Sequence, residues 1–284
     1  MNAKHINTLI RLALSEDAAN KDITTNLLIS STHTSSSVII VRENAVLCGL
    51  TIAKKVFQKL NKHVRFQTKF KDGAVVKRNT TIATIKGKTR SLLTGERVAL
   101  NFLEHLSGIA TNTHKYVLKT RLQKAKIYDT RKTTPGLRLL EKYAVKCGGG
   151  YNHRSDLSEF ILIKDNHRHA CHPRQSIAQA IQRIRHKTKK VLEIEIDDLN
   201  QFKQALKAEP DMILLDNMTC TQMKKAVALT RTLPRKKRPL LEASGGITLA
   251  NVAAVAKTGV DRISIGSLTH SHKAIDVSLE LTNK

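Results

Sequence analysis

The sequence predicts an α/β protein: an amino-terminal region of mixed helices and strands, then a parallel α/β barrel of about six units, incomplete. Three observations predict it. The first hundred or so residues mix helical and alternating patterns. Beyond about residue 120 short apolar runs alternate with helical stretches, the rhythm of a parallel sheet. Almost every one of those later runs ends in a residue able to do chemistry, as strands sharing one barrel mouth do.

In order along the chain, Ile6, Leu9, Ile10, Ala13 and Leu14 recur at helical spacing, and the stretch 1–20 reads as a folded helix, having no uninterrupted apolar run or cleavage site of a secretion signal. Residues 30–37 (SSTHTSSS) are small and polar and predict a loop. Val38-Ile39-Ile40-Val41 and Ala45-Val46-Leu47 predict strands about a short turn. Ile52, Val56 and Leu60 fit one face of a helix, and Val64, Phe66, Thr68 and Phe70 alternate as a half-buried strand does. Lys71-Asp72-Gly73 is a turn, and residues 82–85 resume strand. Residues 91–121 are helical, with a division expected at Gly108 or Thr111 to Thr113.

The barrel strands are expected at Ile127-Tyr128, 160–163, 191–196, 212–215, Leu240-Leu241 and 262–265. Helices fall between them: 137–146, closed by Gly148-Gly149-Gly150; Ile177, Ala180, Ile181 and Ile184 on one face; Leu199, Phe202 and Leu206 on another. Thr248 stands where an N-cap belongs ahead of Val252, Val255 and Ala256, and Gly259 ends that helix.

Composition narrows the function. The chain has 284 residues, with 49 Lys+Arg against 23 Asp+Glu, a net charge of +26. No apolar stretch approaches the roughly 18–20 residues of a membrane span. Cys48, Cys147, Cys171 and Cys220 show no CxxC spacing, so reduced, cytoplasmic thiols are expected. The basic residues are spread from Lys4 to Lys284, which argues for steering of acidic small molecules over a dedicated nucleic-acid face. With 4% aromatic residues and no Trp, a base-stacking platform has little to use. Arg235-Lys236-Lys237-Arg238, between two prolines, reads as a solvated loop.

The strand ends bring Lys132, Lys164, Glu195, Asp216 and Ser244 around one cavity. Arg131, Lys132, Arg154 and Lys164 are donors only and suit a substrate with several negative groups. Glu195 and Asp216 are candidates to hold Mg²⁺, to bind ribose hydroxyls, or to stabilise a developing cation. Ser244-Gly245-Gly246 and Gly266-Ser267 follow the last two strands, where such barrels bind phosphate through backbone N–H groups. Arg138 and Glu141 read as a solvated helix face, and Glu193 as a surface residue. His167, His169, Cys171 and His172 read as a polar loop or helix start in preference to a zinc site.

These residues carry a resemblance. The stretch 129–138 (DTRKTTPGLR) with Cys147-Gly148-Gly149-Gly150, Asn152-His153-Arg154 and Leu162-Ile163-Lys164-Asp165-Asn166-His167 resembles the quinolinate phosphoribosyltransferases. Glu16-Asp17, Asp22-Ile23-Thr24-Thr25, Leu93-Thr94-Gly95-Glu96-Arg97, Asn101-Phe102 and 106–111 (LSGIAT) extend it towards the amino terminus. Glu193-Ile194-Glu195, Leu215-Asp216-Asn217, 242–247 (EASGGI) and 265–271 (IGSLTHS) extend it to the other end.

The resemblance implies an amino-terminal α/β sandwich domain over 1–110, an α/β barrel over 111–269, and a final strand within 270–284 that returns to the first domain. Ile275, Val277, Leu279 and Leu281 alternate as that strand would. It implies a homodimer with an active site shared between subunits. The implied reaction joins quinolinate to phosphoribosyl pyrophosphate and gives nicotinate mononucleotide, pyrophosphate and carbon dioxide, in NAD biosynthesis. By the same resemblance Arg131, His153 and Arg154 grip the quinolinate carboxylates, and Arg97 reaches in from the other subunit. Lys132 and Lys164 stand between quinolinate and the donor, and Glu195 and Asp216 lie near the ribose and Mg²⁺. Ser244, Gly245, Gly246, Gly266 and His270 match the 5′-phosphate site. Mg²⁺ is expected to arrive on the pyrophosphate, with Glu195 and Asp216 as its candidate protein ligands.

Several positions depart from the family pattern. Asp156 stands for a usual Gly, and two outcomes are open: aspartate tolerates left-handed backbone angles, which makes the change benign, or its negative charge near Arg154 weakens quinolinate binding. Glu159 stands for Asp, Lys21 and Arg78 for glycines, and His272-Lys273 for Ala-Pro. The competing readings are a transferase for another aromatic acid, a nucleic-acid binder and an inactive paralogue. The intact Arg131, His153 and Arg154 set opposes the first, since a monocarboxylate would leave part of it unpaired.

Overall fold

The computed structural model describes residues 3–171 and 173–282. It contains α1 (Ala3–Glu16), α2 (Ile23–Leu28), β1 (Thr34–Val41), β2 (Ala45–Val46), α3 (Leu50–Leu60), β3 (Arg65–Gln67), β4 (Val75–Val76), β5 (Thr80–Lys88) and α4 (Thr89–Thr120). Then follow β6 (Lys126–Tyr128), α5 (Arg138–Cys147), β7 (Ile161–Ile163), α6 (Asp165–His169), α7 (Ile177–Arg185), β8 (Leu192–Ile196), α8 (Leu199–Lys207), β9 (Met212–Asp216) and α9 (Cys220–Arg231). The chain ends with β10 (Leu240–Ser244), α10 (Val252–Ala256), β11 (Arg262–Ser264), α11 (Ser267–His270) and β12 (Val277–Thr282).

Two compact units form. The first gathers the chain up to His114, the segment Thr133–Gly149 and the segment from Leu268 onward. The second gathers Lys115–Lys132 and Gly150–Ser267. The boundary expected at residue 110 falls inside α4, which runs unbroken for 32 residues.

In the first unit an antiparallel sheet has the order β12-β1-β5-β3. β1 is paired on both sides, with β5 and with β12, from Val41↔Val277 to Ser36↔Thr282. This extends strand into the polar run that predicted a loop. Ser37, Ile39 and Val41 are its buried face, so pairing and not apolarity decides where β1 begins. The last two positions of the expected terminal strand, 283–284, lie outside the described residues. Nor does α4 divide at Gly108. A Cβ there would stand 2.4 Å from the Lys273 carbonyl oxygen, so this glycine admits the carboxyl-terminal segment against the helix.

Arg138 and Glu141 are not a solvated face. Glu141 is fully buried on α5, accepts from Thr134 N–H at 3.1 Å and meets His105 Nε2 at 3.0 Å. Burial pushes its carboxyl up, but those hydrogen bonds prevail and hold it below the usual range. Arg138 donates from Nε to Thr133 Oγ1 at 2.9 Å. His272, one of the departures, sets its ring edge-on to His105 at 4.6 Å, and burial with the neighbouring histidine keeps its pKa low.

The second unit is a six-stranded parallel sheet in the order β6-β11-β10-β9-β8-β7. Its strands fall on the six predicted runs. A single bridge, Tyr128↔Tyr151, continues the sheet past β6. The residue ahead of α10 is Asn251 and not Thr248, and its side chain makes no capping bond to the helix but accepts from Thr248 N–H at 2.8 Å, while the Thr248 carbonyl accepts from Val252 N–H at 2.9 Å. The basic run 235–238 is an exposed short 3₁₀ turn between α9 and β10, where Arg238 donates to the carbonyls of Arg231 and Leu233 and Lys237 pairs with Glu209.

Candidate active site

Period-two geometry of the barrel strands sorts their side chains into layers. On β8, Glu195 and Glu193 project to the same side, Glu195 nearer the carboxyl end. On β10, Ser244 and Glu242 do the same, and Ser244 stands beside Asp216 of β9. The upper layer therefore carries Glu195, Asp216 and Ser244, all half-buried. The layer beneath carries Glu193 and Glu242, both with no exposed surface.

The upper layer holds most of the expected residues. Lys164, directly after β7, bonds Glu195 through Nζ. Asp216 accepts from Asn217 Nδ2 at 2.9 Å. Gly245 takes φ +85°, and a Cβ on it would lie 2.1 Å from Asn217 Oδ1, so the turn after β10 closes against the turn after β9 without room for a side chain. Gly246 also has positive φ, +59°. Gly266 follows β11, and His270 ends α11, exposed, its Nδ1 2.7 Å from Ser271 Oγ.

After β6, Asp129 is completely buried and organises the cationic residues. It accepts from His153 N–H at 2.8 Å and from Asn152 Nδ2 at 2.6 Å. That fixes 151–154 beside β6 and places His153 and Arg154 next to the Arg131-Lys132 segment. Arg154 is buried, donates to the Phe160 carbonyl at 3.1 Å and lies over the Phe160 ring. Burial, then the adjacent Arg131 charge, lower its pKa from the usual guanidinium value. Lys132 is exposed, its N–H bonded to Thr130 Oγ1 at 3.0 Å.

Arg97 belongs to the first unit. It stands on the exposed side of α4, with Nη1 3.8 Å from Glu104.

Glu193 is the main correction to the sequence reading. It is buried, with Oε2 3.2 Å from His153 Nε2, and Glu242 Oε1 lies 3.3 Å from the same nitrogen. Among the described residues these three form the one group whose ligand atoms lie close enough, within 4.8 Å, to hold a metal ion. Burial pushes Glu193 up, the Glu242 charge adds to it, and its pKa rises to about 7. Burial alone would lower His153, but the hydrogen bonds and charges of the two acids raise it to about 9. The signal was present in the sequence: if Glu195 faces the mouth, Glu193 two residues earlier faces the same interior.

His167, His169 and Cys171 make local bonds. His167 Nδ1 accepts from Lys164 N–H at 2.9 Å, His169 Nδ1 meets the Asp165 carbonyl at 2.9 Å, and Cys171 Sγ meets the His167 carbonyl. His172 lies outside the described residues. Asp156 is not among the positive-φ residues, so its backbone does not call on left-handed tolerance, while its charge does act on Arg154. Its Oδ1 closes a turn by accepting from Ser158 N–H and Oγ, both at 2.7 Å. Glu159 accepts from Ser155 N–H at 2.6 Å in the same loop.

Comparison with known proteins gives the same picture. The family model described as quinolinate phosphoribosyl transferase, N-terminal domain, matches residues 22–107, and its C-terminal counterpart matches 109–280. The chain is 39% identical over 284 residues to the probable nicotinate-nucleotide pyrophosphorylase (carboxylating) of Bacillus subtilis, covering 99% of this chain and 95% of that one. It is 41% identical over 276 residues to the nicotinate-nucleotide pyrophosphorylase (carboxylating) of Mycobacterium leprae, covering 96% and 95%. The solved nicotinate-nucleotide pyrophosphorylase of Francisella tularensis superimposes with a TM-score of 0.92 at 39% identity, over 99% of this chain and 98% of that one.

Proposed function

The chain belongs to the quinolinate phosphoribosyltransferase family, and on that premise we propose that it joins quinolinate to phosphoribosyl pyrophosphate. The products are nicotinate mononucleotide, pyrophosphate and carbon dioxide, and the step serves NAD biosynthesis. The observation that carries this reading to particular residues is the layered mouth of the second unit. Half-buried Arg131 and buried His153 and Arg154 gather after β6, while Lys164, Glu195 and Asp216 and the glycine turn after Ser244 stand at the ends of the other strands of the same sheet.

Quinolinate is a pyridine with carboxylates on adjacent carbons, and guanidinium forks match carboxylates two bonds at a time. Arg131, His153 and Arg154 hold that pair, with Arg97 supplied by a second subunit of a homodimer. Ser244, Gly245, Gly246, Gly266 and His270 receive the 5′-phosphate of the donor, the glycine turns offering backbone N–H groups. Lys132 and Lys164 lie between the two substrates. The pyridine nitrogen, held in line, attacks the anomeric carbon as its bond to pyrophosphate breaks and that electron pair leaves with the pyrophosphate. Glu195 and Asp216 stabilise the positive charge that grows on the ribose ring. The new pyridinium then draws in the electrons of the breaking carbon–carboxylate bond. Carbon dioxide leaves, and a proton takes its place on the ring.

The donor set fits Mg²⁺. Glu195 and Asp216 are hard oxygen ligands at neighbouring strand ends, and this ion typically takes one or two carboxylates and completes its shell with substrate phosphate oxygens. When bound, Mg²⁺ neutralises charge on the departing pyrophosphate. Four free cysteines fit a reducing, cytoplasmic setting. No helix among the described residues is long and apolar enough to cross a membrane.

The test is formation of nicotinate mononucleotide from purified protein. We expect product only with quinolinate, phosphoribosyl pyrophosphate and Mg²⁺ together. A charged hydrogen bond contributes about 1.5–3 kcal/mol, so Arg131→Ala and Lys132→Ala should each lower kcat/KM by about tenfold to a hundredfold or more. Folded protein that makes no product would overturn the proposal.

A further inference from the structure

Beneath the mouth, one histidine nitrogen serves two buried acids. His153 Nε2 lies 3.2 Å from Glu193 Oε2 and 3.3 Å from Glu242 Oε1, and all three side chains are buried. One N–H cannot satisfy four carboxylate oxygens. Glu193 Oε1 and both carboxylate oxygens of Glu242 have no hydrogen-bond partner, although all three are inaccessible to solvent, so Glu242 meets the ring as an ion-pair neighbour at 3.3 Å. Two uncompensated carboxylates at that depth are unfavourable, so positive charge must stand beside them. A proton on both ring nitrogens places that charge on His153, between the two acids.

The other elements around it support that assignment. From β11, Arg262 acts on Glu193 as a positive neighbour and lies 4.7 Å from the Tyr128 ring of β6. Tyr128 in turn feels the Glu242 charge. Arg154 adds positive charge next to Glu193, and Arg131 stands beside Arg154. Asp129 accepts the His153 backbone N–H and fixes where the ring begins, and the Phe160 ring packs 5.0 Å from the imidazole.

We propose that Glu193 and Glu242 are positioning residues for the reaction: they turn His153 so that Nε2 faces inward and keep the ring an imidazolium. His153 then works as a fixed cationic donor to a quinolinate carboxylate and does not act as a general base. The proposal rests on the placement of His153 against quinolinate given above. It assigns a function to a buried acidic layer that the reaction scheme itself does not use. The single nitrogen shared by both acids favours a proton over a metal ion as the charge that balances them.

The ring can be observed without substrate. Long-range ¹H–¹⁵N correlation spectra of protein labelled with ¹⁵N-histidine, with His153→Gln to assign the signals, report its charge directly. In the unaltered protein we expect imidazolium from pH 6 to 8, with a midpoint near the value of about 9 that the two acids impose. Glu242→Gln and Glu193→Gln should each weaken proton binding about tenfold or more. With either variant the KM for quinolinate should then climb about twofold or more between pH 6 and 8. That of the unaltered protein stays flat, and the KM for phosphoribosyl pyrophosphate moves in neither. Glu242→Asp, which restores the charge, should return part of the flat profile.

A neutral His153 at pH 7 in the unaltered protein overturns the proposal, and that result needs no variant to fold. Unchanged ring titration in both variants, or an altered titration with unchanged KM for quinolinate, overturns it too. So does a stoichiometric metal that Glu242→Gln releases. If the protein does not turn over quinolinate at all while the ring titrates as expected, the assigned substrate fails and the buried trio stands.

Discussion

At position 245 the chain has no room for a methyl group. The backbone is left-handed there, and the missing Cβ would overlap the Asn217 side chain. Gly245→Ala pays for the left-handed angle, about 1–2 kcal/mol, and must also displace the turn that carries Asp216 and Asn217. We expect a folded protein whose KM for phosphoribosyl pyrophosphate rises at least about tenfold, with a smaller change in the KM for quinolinate, read by steady-state kinetics. At this scale the sequence was a good guide to the mouth and a poor one to what lies under it. Arg131, Lys164, Glu195 and Asp216 stand at strand ends, where chemistry in a barrel is visible from spacing. Glu193 and Glu141 were read as surface because charge predicts exposure. Both are buried because a distant histidine meets each of them, and a partner 36 or 40 residues away leaves no local mark.

Elements tell a similar story. The six barrel strands were legible because each is a short apolar run between helices, and their neighbours in the sheet do not alter that pattern. β1 was only half legible. Its serines join the strand because β5 and β12 flank it, and that is a long-range fact. Gly108 misled for a related reason. In isolation a mid-helix glycine marks a break, but here it is the notch into which residues 273 and 274 descend. Alanine is the better helix former by about 1 kcal/mol, so local propensity predicts that Gly108→Ala stabilises the protein. Overpacking against the Lys273 carbonyl costs about 1–3 kcal/mol, and we expect it to prevail. The measurement is the midpoint of thermal or denaturant unfolding, which should fall.

For the whole molecule, Arg97 sets the question. It sits exposed on α4, remote in sequence from every strand-end residue. If it completes the site of a second subunit, two strongly impaired variants should rescue each other. Arg97→Ala and Lys132→Ala, mixed under conditions that exchange subunits, should regain about a quarter of the unaltered activity, because half the dimers would be mixed and each of those would hold one intact site. Absence of rescue in a demonstrated mixed dimer would show that each site is built from one chain. The excess of positive charge acts at this scale as well. If it steers the two anionic substrates to the mouth, kcat/KM should fall as added salt screens it, read by steady-state kinetics across ionic strength.

The pairing of β12 with β1 has a consequence in time. The two strands are separated by more than two hundred residues, and Arg42 beside β1 bonds both Ser278 and Glu280 of β12. During synthesis on the ribosome, β1 emerges more than two hundred residues ahead of the neighbour it needs. Until then one full edge of an interior strand of that sheet stays open, a template for the wrong partner. The segments of the parallel sheet, by contrast, have all emerged before β12 does. A nascent chain interrupted ahead of β12 therefore leaves the amino-terminal sheet as the incomplete part, and loss of β12 should show itself as aggregation before it shows itself as lost chemistry.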